Sequence, residues 1–520
     1  MNFSDCVFLT WSIPLESELT KCVQGGSVLS LQLNVNGIDS PNTLVINHSL
    51  ISSLVMRAFS AGKAMDSMKF SKVVPTFGFV WLAMLPSLVS AQLTADFSLN
   101  TSSFFSSNAT ARAAAEAAIA DLNAALNQNL GAVTAADQTV TGSFGADMVD
   151  ISITASVTNP STGSSVDVSV ANAQSVVPIF VGARNLPGSA VGLGGPSSWG
   201  FSIPNTSIFN ISDFGVAVTN AANATNLIYL RGEGPVVSRF NSSLGGFPFE
   251  LTLGLGHGSV AIDSGFSNFH FDHTTPVPAG MIDLYSVVLH EAMHAIGLGP
   301  SPEWDMQVSG TNWTGSEVVD FLGSGSGVIA FGVLAPDENH VAEGVLSPTI
   351  TDGRMQQSVL VPSIRAGFRF RLTELDLAFM RDLGYANAVV PPRTSLLGDF
   401  DLDGDVDLAD LDQYNSNIGS QAVGALNVID LNGNFDVDTT DFETHYTTLV
   451  ETSNGNTGTA AGDINLDGVV NVLGDAFALV SNLGNVSASS WSQGDLNADG
   501  AVDVLGDAFM LISNLGFSNN

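Results

Sequence analysis

The order of apolar and polar residues between positions 92 and 385 predicts one domain that mixes helices with strands. Residues 108–130 are rich in alanine and place larger apolar residues at helical spacing, so they predict an amphipathic helix. Loops rich in Gly, Ser and Pro, such as 182–200, separate the predicted strands. Those strands are 149–157, 177–181 and 259–262. Because helices and strands do not alternate as βαβ units, the pattern indicates an α+β fold.

A secretory signal peptide is predicted for residues 65–91. A short basic start is followed by an apolar run and then by small residues, a layout that predicts cleavage after Ala91. The apolar run contains prolines and is short for a membrane-spanning helix, so we expect no stable membrane span. Because this signal lies inside the chain, we expect translation to start at Met65 or Met68. Residues 1–64 are then an upstream extension, and the mature protein is secreted or lies at the cell surface.

The charge and cysteine content of the chain narrow its function classes. With 15 Lys and Arg against 50 Asp and Glu, the net charge is −35, which argues against binding to nucleic acid or to anionic membranes. A hydrophobic content of 45% indicates a globular chain rather than a disordered acidic one. Cys6 and Cys22 both lie in the predicted extension, so the mature protein has no cysteine with which to form a disulfide.

The stretch 284–300, LYSVVLHEAMHAIGLGP, predicts a helix that carries the pattern His-Glu-x-x-His. Asp283 or Ser286 can cap the start of this helix, and Gly297 and Gly299 can end it. The surrounding residues are largely apolar, so the predicted helix is buried on most of its surface.

The two histidines of this helix form a candidate zinc site. His290 and His294 are one helical turn apart, so they project from the same face and can bind one Zn²⁺. Glu291 lies beside them and can act as the general base toward a water that the metal acidifies. The alternative interpretation is two core histidines whose ring nitrogens bond to backbone groups. We favour the metal site, because the intervening glutamate and the predicted secretion both fit its mechanism.

This helix resembles that of the zincin metalloproteases, particularly those with the pattern HExxHxxG. Pro300 occupies the position of the third histidine in many of them. Members similar to leishmanolysin, and a set of secreted bacterial enzymes, have that histidine farther downstream, followed by a Leu-Met-x-Pro-Ser turn and a final helix. Here His340 in NHVAEG, the stretch VLVPSIRAG from Val359, and LTELDLAFMRDLGY ending at Tyr385 follow the same order. The resemblance implies a zincin-like domain with His340 as the third zinc ligand.

The chain departs from this family pattern at two positions and leaves alternatives open. Leu360 stands where the family has methionine, and Val341 where tryptophan is usual. Glu303 or Asp305 could supply an oxygen ligand instead of His340.

Two further expectations concern the surroundings of the predicted helix. His270 and His273 could form a second metal site, although such histidines are more often surface or cleft residues. Residues 259–262 are expected to be the edge strand along which an extended peptide substrate pairs.

After residue 398 the chain contains 20 Asp and Glu and no Lys or Arg, and its acidic residues recur in four loops. Oxygen-bearing side chains stand at the spacing of an EF-hand-type calcium loop, in which a glycine makes the turn at position 6. We expect Ca²⁺ to bind at Asp399, Asp401, Asp403, Asp407 and Asp410; at Asp430, Asn432, Asn434, Asp438 and Asp441; at Asp463, Asn465, Asp467, Asn471 and Asp475; and at Asp495, Asn497, Asp499, Asp503 and Asp507. Phe435 replaces the glycine of the second loop, so that loop is expected to bind most weakly.

These loops, each followed by a predicted helix, resemble dockerin type I modules. The resemblance implies small α-helical, EF-hand-type modules in two pairs, 398–450 and 462–517, with linkers at 389–397 and 451–461. The zincin-like domain then covers 92–388. Dockerins of cellulosomes bind cohesins, but paired dockerin-like repeats also occur where no cohesin is evident. The resemblance therefore leaves open both a cohesin-like partner and a role in polysaccharide breakdown.

Taken together, these features predict a secreted zinc-dependent endopeptidase, which acts on proteins or peptides and carries calcium-binding modules. One rival hypothesis is a catalytically silent, surface-binding or adhesive protein on a zincin scaffold. The retained Glu291 argues against this rival, because a silent site needs no base. Another rival keeps the metal but hydrolyses a substrate other than protein.

Overall fold

The computed structural model describes residues 7–13, 17–24, 27–35, 92–127, 130–171, 176–231, 234–331, 336–386, 388–390, 396–401, 403–487 and 490–519. The predicted signal peptide at 65–91 lies outside these residues. Residues Met1–Ser87 and Leu88–Asn520 are two separate compact units. In the smaller unit, three strands pair in the antiparallel order β1-β2-β3: β1 (Val7–Ile13), β2 (Ser17–Gln24) and β3 (Ser27–Val35).

The larger unit mixes helices with several sheets. Its described strands are β4 (Gln92–Asp96), β5 (Thr139–Phe144), β6 (Asp147–Thr158), β7 (Ser165–Val168), β8 (Val176–Arg184), β9 (Gly192–Pro196), β10 (Ser198–Ser202), β11 (Thr206–Ser207), β12 (Val236–Leu244), β13 (Phe247–Gly254), β14 (Gly258–Asp263), β15 (Phe269–His270), β16 (Ile282–Asp283), β17 (Val308–Ser309), β18 (Asn312–Trp313), β19 (Ile329–Phe331), β20 (Pro336–Val341), β21 (Leu346–Pro348) and β22 (Met355–Gln357). Its described α-helices are α1 (Phe104–Ser107), α2 (Ala109–Leu126), α3 (Ile211–Tyr229), α4 (Leu284–Ala295), α5 (Pro302–Gln307), α6 (Ser316–Leu322), α7 (Glu374–Asp382), α8 (Leu408–Asn417), α9 (Thr439–Thr444), α10 (Phe477–Asn482) and α11 (Phe509–Ser513).

The predicted amphipathic helix corresponds to α2, but the helix ends earlier than expected. Asn108 caps its start by accepting a hydrogen bond from the backbone N–H of Ala111. Asn127 then adopts a left-handed conformation with φ of 46°, which ends the helix before the predicted limit at Leu130. Asparagine tolerates this conformation better than most residues, so the polar end of the segment stops the helix.

The sheet beside α4 has the strand order β4-β8-β14-β9. β4 and β14 run parallel to β8, and β9 runs antiparallel to β14. The expectation that residues 259–262 form the edge strand is therefore wrong, because β14 lies between two partners. β9 is the terminal strand of this sheet in the described chain, although its sequence, GLGGP, was predicted to be a loop. A Cβ at Gly194 would overlap the Glu291 carbonyl oxygen, so glycine lets β9 lie against α4.

Two hydrophobic cores organise the larger unit. The first draws on residues 93–388, and the second on residues 400–511 of both module pairs. In the second core, Trp491 packs against Tyr446 with ring centroids 5.1 Å apart and donates its indole N–H to the Asp463 carbonyl at 2.9 Å. The structure differs from expectation at the predicted linker 451–461, because Thr452 and Thr459 within it are buried. The two module pairs therefore share one core.

The first module pair also contacts the preceding domain, residues 92–388. The Met355 N–H donates to the Leu431 carbonyl at 3.0 Å, and the Gly424 N–H donates to the Gly367 carbonyl at 2.9 Å. Phe435 of the second loop packs against the core of the domain. The second calcium-type loop is thus part of the junction with the domain that precedes it.

None of the helices that the structure describes is both long enough and apolar enough to cross a membrane.

Candidate functional site

The helix α4 is fixed at its start by a buried carboxylate. Asp283 accepts hydrogen bonds from the Ser286 backbone N–H at 3.1 Å and from its hydroxyl at 2.7 Å. Arg369 pairs with the same carboxylate at 2.8 Å, which compensates the charge of a fully buried acid. Of the two predicted capping residues, Asp283 is the N-cap. Every residue of α4 is buried, as its largely apolar sequence predicts.

Three imidazoles meet at the face of α4 that borders a cleft. The Nε2 atom of His294 lies 3.1 Å from that of His290 and 3.3 Å from that of His340. His290 and His294 come from the helix, whereas His340 comes from β20, which pairs with β19. The structure thus brings together the three histidines that the sequence motif and the family resemblance single out.

The remaining ring nitrogens orient two of these imidazoles. His290 Nδ1 donates to the Val359 carbonyl, and His294 Nδ1 donates to the Leu298 carbonyl, each at 2.7 Å. A neutral imidazole that donates from Nδ1 presents a lone pair at Nε2. Burial and the neighbouring His294 lower the pKa of His290 well below its usual value, so this ring is neutral at neutral pH.

This geometry fits a tetrahedral metal ion. Facing lone pairs repel each other at such short distances unless a cation lies between them. Zn²⁺ holds histidine nitrogens at about 2.0–2.1 Å, which in tetrahedral geometry separates them by about 3.3 Å. The Nε2–Nε2 separations of 3.1 and 3.3 Å in the structure agree with this value. Hydrogen bonds from Nδ1 to carbonyl groups are also the usual outer support of histidine metal ligands.

Glu291 lies beside the three histidines and is 8% exposed. Burial raises the pKa of its carboxyl to about 8, although a backbone hydrogen bond from Gly194 acts in the opposite direction. A cation bound by the histidines would favour the ionised form. Glu291 is therefore placed to accept a proton and release it again near neutral pH.

A turn after His340 holds the ligands in register. The Val341 N–H donates to the Leu360 carbonyl at 2.9 Å, so the same turn that accepts from His290 also holds the strand of His340. Leu360, at the position of the family's methionine, is fully buried. Asp376, at the start of α7, anchors this turn by accepting from the Ser358 hydroxyl at 2.5 Å. The sequence analysis did not single out Asp376, although a capping box with Thr373 marks it.

The end of α4 also depends on its glycines. Gly297 and Gly299 have φ of 104° and 92°, a region that favours glycine. A Cβ at Gly299 would come within 3.0 Å of both His294 Nδ1 and the Asn339 carbonyl oxygen. This glycine therefore allows the helix end and the strand of His340 to approach each other closely.

The alternative ligands lie elsewhere. Glu303 in α5 pairs with Arg239 at 3.3 Å, and neither Glu303 nor Asp305 joins a metal-capable cluster in the parts of the chain that the structure describes. His270 and His273 do not form such a cluster within the same residues. His270 Nε2 instead lies 3.2 Å from the Thr275 hydroxyl. The geometry favours His340 as the third ligand.

A cleft of about 810 Å³ lies in front of the histidines. Its walls include β9 and the turn at 362–366, and His290, Glu291, His294 and His340 line it. Leu193 on β9 is 44% exposed. An extended chain can therefore lie along β9 within reach of Glu291. The sequence analysis missed β9, because its four-residue run of Gly and Leu has neither the period nor the residue types of a typical strand.

The four calcium-type loops close in the same way. A carboxylate at the end of each loop accepts backbone hydrogen bonds from the loop's start and from its ninth position: Asp410, Asp441, Asp475 and Asp507. The third and fourth loops have one residue more than the first two before this carboxylate. π-helical turns at Val472–Ala476 and Val504–Ala508 accommodate the extra residue.

Cation-binding geometry is clearest in the first loop. Asp399, Asp401 and Asp410 bring one carboxylate oxygen each to within 4.8 Å of one another, as do Asp405, Asp407 and Asp410. Asp399 is buried, and its Oδ1 atom has no hydrogen-bond partner among the described residues. A buried carboxylate oxygen without a donor is the environment that a bound Ca²⁺ would satisfy.

The other loops combine carboxylates with amides. Asn434, Asn465 and Asn497 donate to neighbouring aspartates at 2.8, 3.1 and 2.9 Å, respectively. Burial and nearby carboxylates raise the pKa of Asp441 and of Asp495 to about 6. Bound Ca²⁺ would neutralise much of this negative charge and so lower these pKa values.

Phe435 adopts the conformation that glycine has in the other loops. Its φ is 73°, and its N–H donates to Asp430 at 2.8 Å, as the Gly404 N–H does to Asp399 at 3.1 Å. The phenyl ring packs on Phe368 with centroids 5.2 Å apart, and the Arg365 guanidinium lies 4.1 Å from its centroid. The residue expected to weaken the loop thus also joins it to the domain of residues 92–388.

A scan of protein-family models, a search of curated proteins and a search of solved structures each find no match to this chain.

Proposed function

We propose that this protein is a secreted zinc-dependent endopeptidase with calcium-stabilised C-terminal modules. His290, His294 and His340 hold one Zn²⁺, and Glu291 is the general base. The convergence of three Nε2 atoms beside a buried glutamate carries the proposal. Zn²⁺ supplies Lewis acidity, which lowers the pKa of a coordinated water to about 7 and polarises a carbonyl group.

Glu291 performs the proton transfers. Its carboxylate accepts the proton of the attacking water, and its buried position favours holding that proton. It then delivers the proton to the amine that leaves. Hydrolysis thereby forms a carboxylic acid and a free amine from one peptide bond and one water molecule.

A peptide substrate suits the cleft better than a compact one. β9 ends the sheet order of the described residues, so its outer edge can pair with an extended chain. Gly192 and Gly194 keep that strand flush against α4, which brings a paired backbone toward Glu291. These features support cleavage within a chain rather than hydrolysis of a small ester or amide.

Substitution of the base tests this proposal. Glu291→Gln should retain zinc but lose peptidase activity by several orders of magnitude, because the amide cannot accept the proton. His340→Ala should lower both zinc content and activity, as His294→Ala does. Glu303→Gln is the matched control and should keep both, since Glu303 pairs with Arg239 instead.

Zinc analysis and digestion of a peptide pool distinguish the outcomes. Full peptidase activity in Glu291→Gln would contradict the mechanism. A wild-type protein that binds zinc but cleaves no peptide would favour the silent, adhesive alternative.

One observation favours a partner-binding role for the modules in addition to catalysis. Leu473 and Leu505 are 91% and 89% exposed, and Phe477 and Phe509 are 72% and 67% exposed. Exposed apolar surfaces of this kind mark protein interaction sites. We therefore propose that the second module pair binds a partner protein, for which a cohesin-like protein is the first candidate.

A further inference from the structure

A second cavity, of about 510 Å³, lies between the zincin-like domain and the first module pair. The domain contributes residues 273–277, 351–354 and two arginines of the 369–371 segment, and the module pair contributes residues 424–428. The residues that line this cavity do not include those that line the cleft of the candidate metal site. Its volume falls within the usual range of small-molecule sites.

Positive charge is concentrated at this cavity in a strongly acidic chain. Arg354, Arg369 and Arg371 all line it, whereas the whole chain has 15 Lys and Arg and a net charge of −35. Arg369 is committed to Asp283 at 2.8 Å, and Arg354 is committed to Asp352 at 2.9 Å.

Arg371 is the cation left to bind a ligand. Its guanidinium lies 5.4 Å from the Tyr285 ring centroid, and no carboxylate pairs with it in the described parts of the chain. Arg371 is half-buried, so its charge is partly shielded from water. An anion in the cavity would give it a counter-charge.

Three buried polar atoms that have no hydrogen-bond partner among the described residues belong to residues that line this cavity. They are Asn427 Nδ2, Thr351 Oγ1 and His273 Nδ1. Asn427 is only 6% exposed, and its Oδ1 atom accepts from Arg354 Nη1 at 2.6 Å. This contact fixes the orientation of the amide, so that Nδ2 is left as a donor group without an acceptor. A ligand with acceptor oxygens would satisfy them.

Part of the wall is apolar, although Thr274, Thr275 and Asp352, which pairs with Arg354, also line the cavity. Val277, Pro276 and Phe400 line the cavity together with Val428. A bare inorganic ion would leave most of this surface and volume unfilled. The wall is therefore complementary to an anion that carries an apolar body.

We propose that this cavity binds the carboxylate of an apolar organic acid or of a peptide C-terminus. The carboxylate pairs with Arg371 and accepts hydrogen bonds from Asn427 and Thr351, while the apolar body contacts Val277 and Phe400. Because Arg371 belongs to the zincin-like domain and Asn427 to the first module pair, the ligand joins the two. This inference does not depend on zinc binding or peptidase activity.

Calorimetric titration of the full mature chain in calcium tests the site. The probes are 3-phenylpropionate, a blocked tripeptide with a free C-terminus, the uncharged amide of each, and inorganic phosphate. We expect at least one acid to bind and its amide to bind at least tenfold more weakly. Preference for the tripeptide acid assigns the site to peptide C-termini, whereas preference for phenylpropionate assigns it to small acids.

Two variants and one control complete the experiment. Arg371→Gln should weaken acid binding at least tenfold, because the counter-charge is lost. Asn427→Asp keeps an oxygen for Arg354 but replaces the donor with a carboxylate oxygen, so it should abolish binding while the protein melts as the wild type does. Arg112→Gln, at an exposed pair with Glu116, should bind normally. Absence of binding by both acids, equal binding of the amides, equal binding of phosphate, or unchanged binding in both site variants would overturn the proposal.

Discussion

The two module pairs are built from the same loop-helix repeat but present different surfaces. Two residues after the loop-closing aspartate, the first pair has Asp412 and Glu443, whereas the second pair has Phe477 and Phe509. Asp412 accepts a hydrogen bond from the Ser492 hydroxyl at 2.9 Å, while both phenylalanines are exposed to solvent. The residues of the calcium-type loops are therefore common to both pairs, whereas the residues that follow each loop determine what each pair contacts.

The apolar contact of the first pair comes instead from inside a loop. Phe435 faces the domain of residues 92–388, with its ring against Phe368 and Arg365. Its left-handed backbone costs about 1–2 kcal/mol. Aromatic and cation–π contacts of this kind contribute about 0.5–1.5 kcal/mol each, so they offset that cost. The first pair uses its apolar residue within the chain, whereas the second pair leaves its apolar residues open to another molecule.

Of the changes that test this comparison, removal of calcium should have the largest effect on the stability of the two module pairs. The framework is common to both pairs and they share one core, so a chelator should destabilise both together. Each site occupied at a thousand-fold excess over its Kd contributes about 4 kcal/mol. We expect one low-temperature transition of the modules to shift by many degrees, while the transition of the core formed by residues 93–388 changes little. Calorimetry with calcium and with chelator measures this, and unchanged melting would contradict the calcium-loop interpretation.

Substitution of the buried Phe435 should have an intermediate effect on the free energy of unfolding. Phe435→Ala removes the packing but keeps the left-handed backbone, so the free energy of unfolding should fall by about 1–3 kcal/mol. Phe435→Gly removes the same packing but relieves the strain, so it should be about 1 kcal/mol more stable than the alanine variant. Urea unfolding measures both.

Phe477→Ala is the matched control from the second pair. Its side chain is 72% exposed, so we expect a change within about 0.5 kcal/mol. Equal destabilisation by Phe435→Ala and Phe477→Ala would remove the distinction between an internal and an external apolar surface.

A change of pH should have a smaller effect on the stability of the modules, and this effect should be similar in the two pairs. Without calcium, Asp441 and Asp495 have folded pKa values of about 6, whereas an unfolded aspartate has a pKa of about 4. Between these values the folded modules bind more protons, so their stability decreases as pH rises from about 4 to 6. Calcium should invert this trend, because protons compete with the cation. Chelated modules that melt higher at pH 7 than at pH 5 would contradict the assignment.

The sequence could predict α2 and α4, because each follows a clear helical period and begins at a polar cap. It could not predict β9, since a run of glycines acquires its strand conformation from β14 on one side and α4 on the other. β9 could not be predicted because local sequence patterns indicate what a segment buries, whereas an edge strand is defined by its neighbours.

The candidate site also contains residues that the sequence could predict and residues that only the fold reveals. His290, Glu291 and His294 follow from spacing alone, because one helical turn brings the histidines together. His340 could be assigned through the order of motifs that resembles the zincins, but its distance to the helix required the fold. The carbonyl of Val359 carries no motif of its own, and the capping box that marks Asp376 does not indicate its contact with Ser358. Phe435 was expected to weaken a loop because it replaces a glycine. Its packing on Phe368 could not be predicted, because Phe368 lies in a distant segment.

X-ray absorption spectroscopy at the zinc edge, on mature protein loaded with one equivalent of Zn²⁺, tests the central claim most directly. We predict three histidine nitrogens at about 2.0–2.1 Å together with one further light ligand. His340→Ala should lose one histidine shell, whereas Glu303→Gln should leave the spectrum unchanged. A wild-type spectrum with two or fewer histidines, or one unaltered in His340→Ala, would contradict the metal centre proposed for this protein.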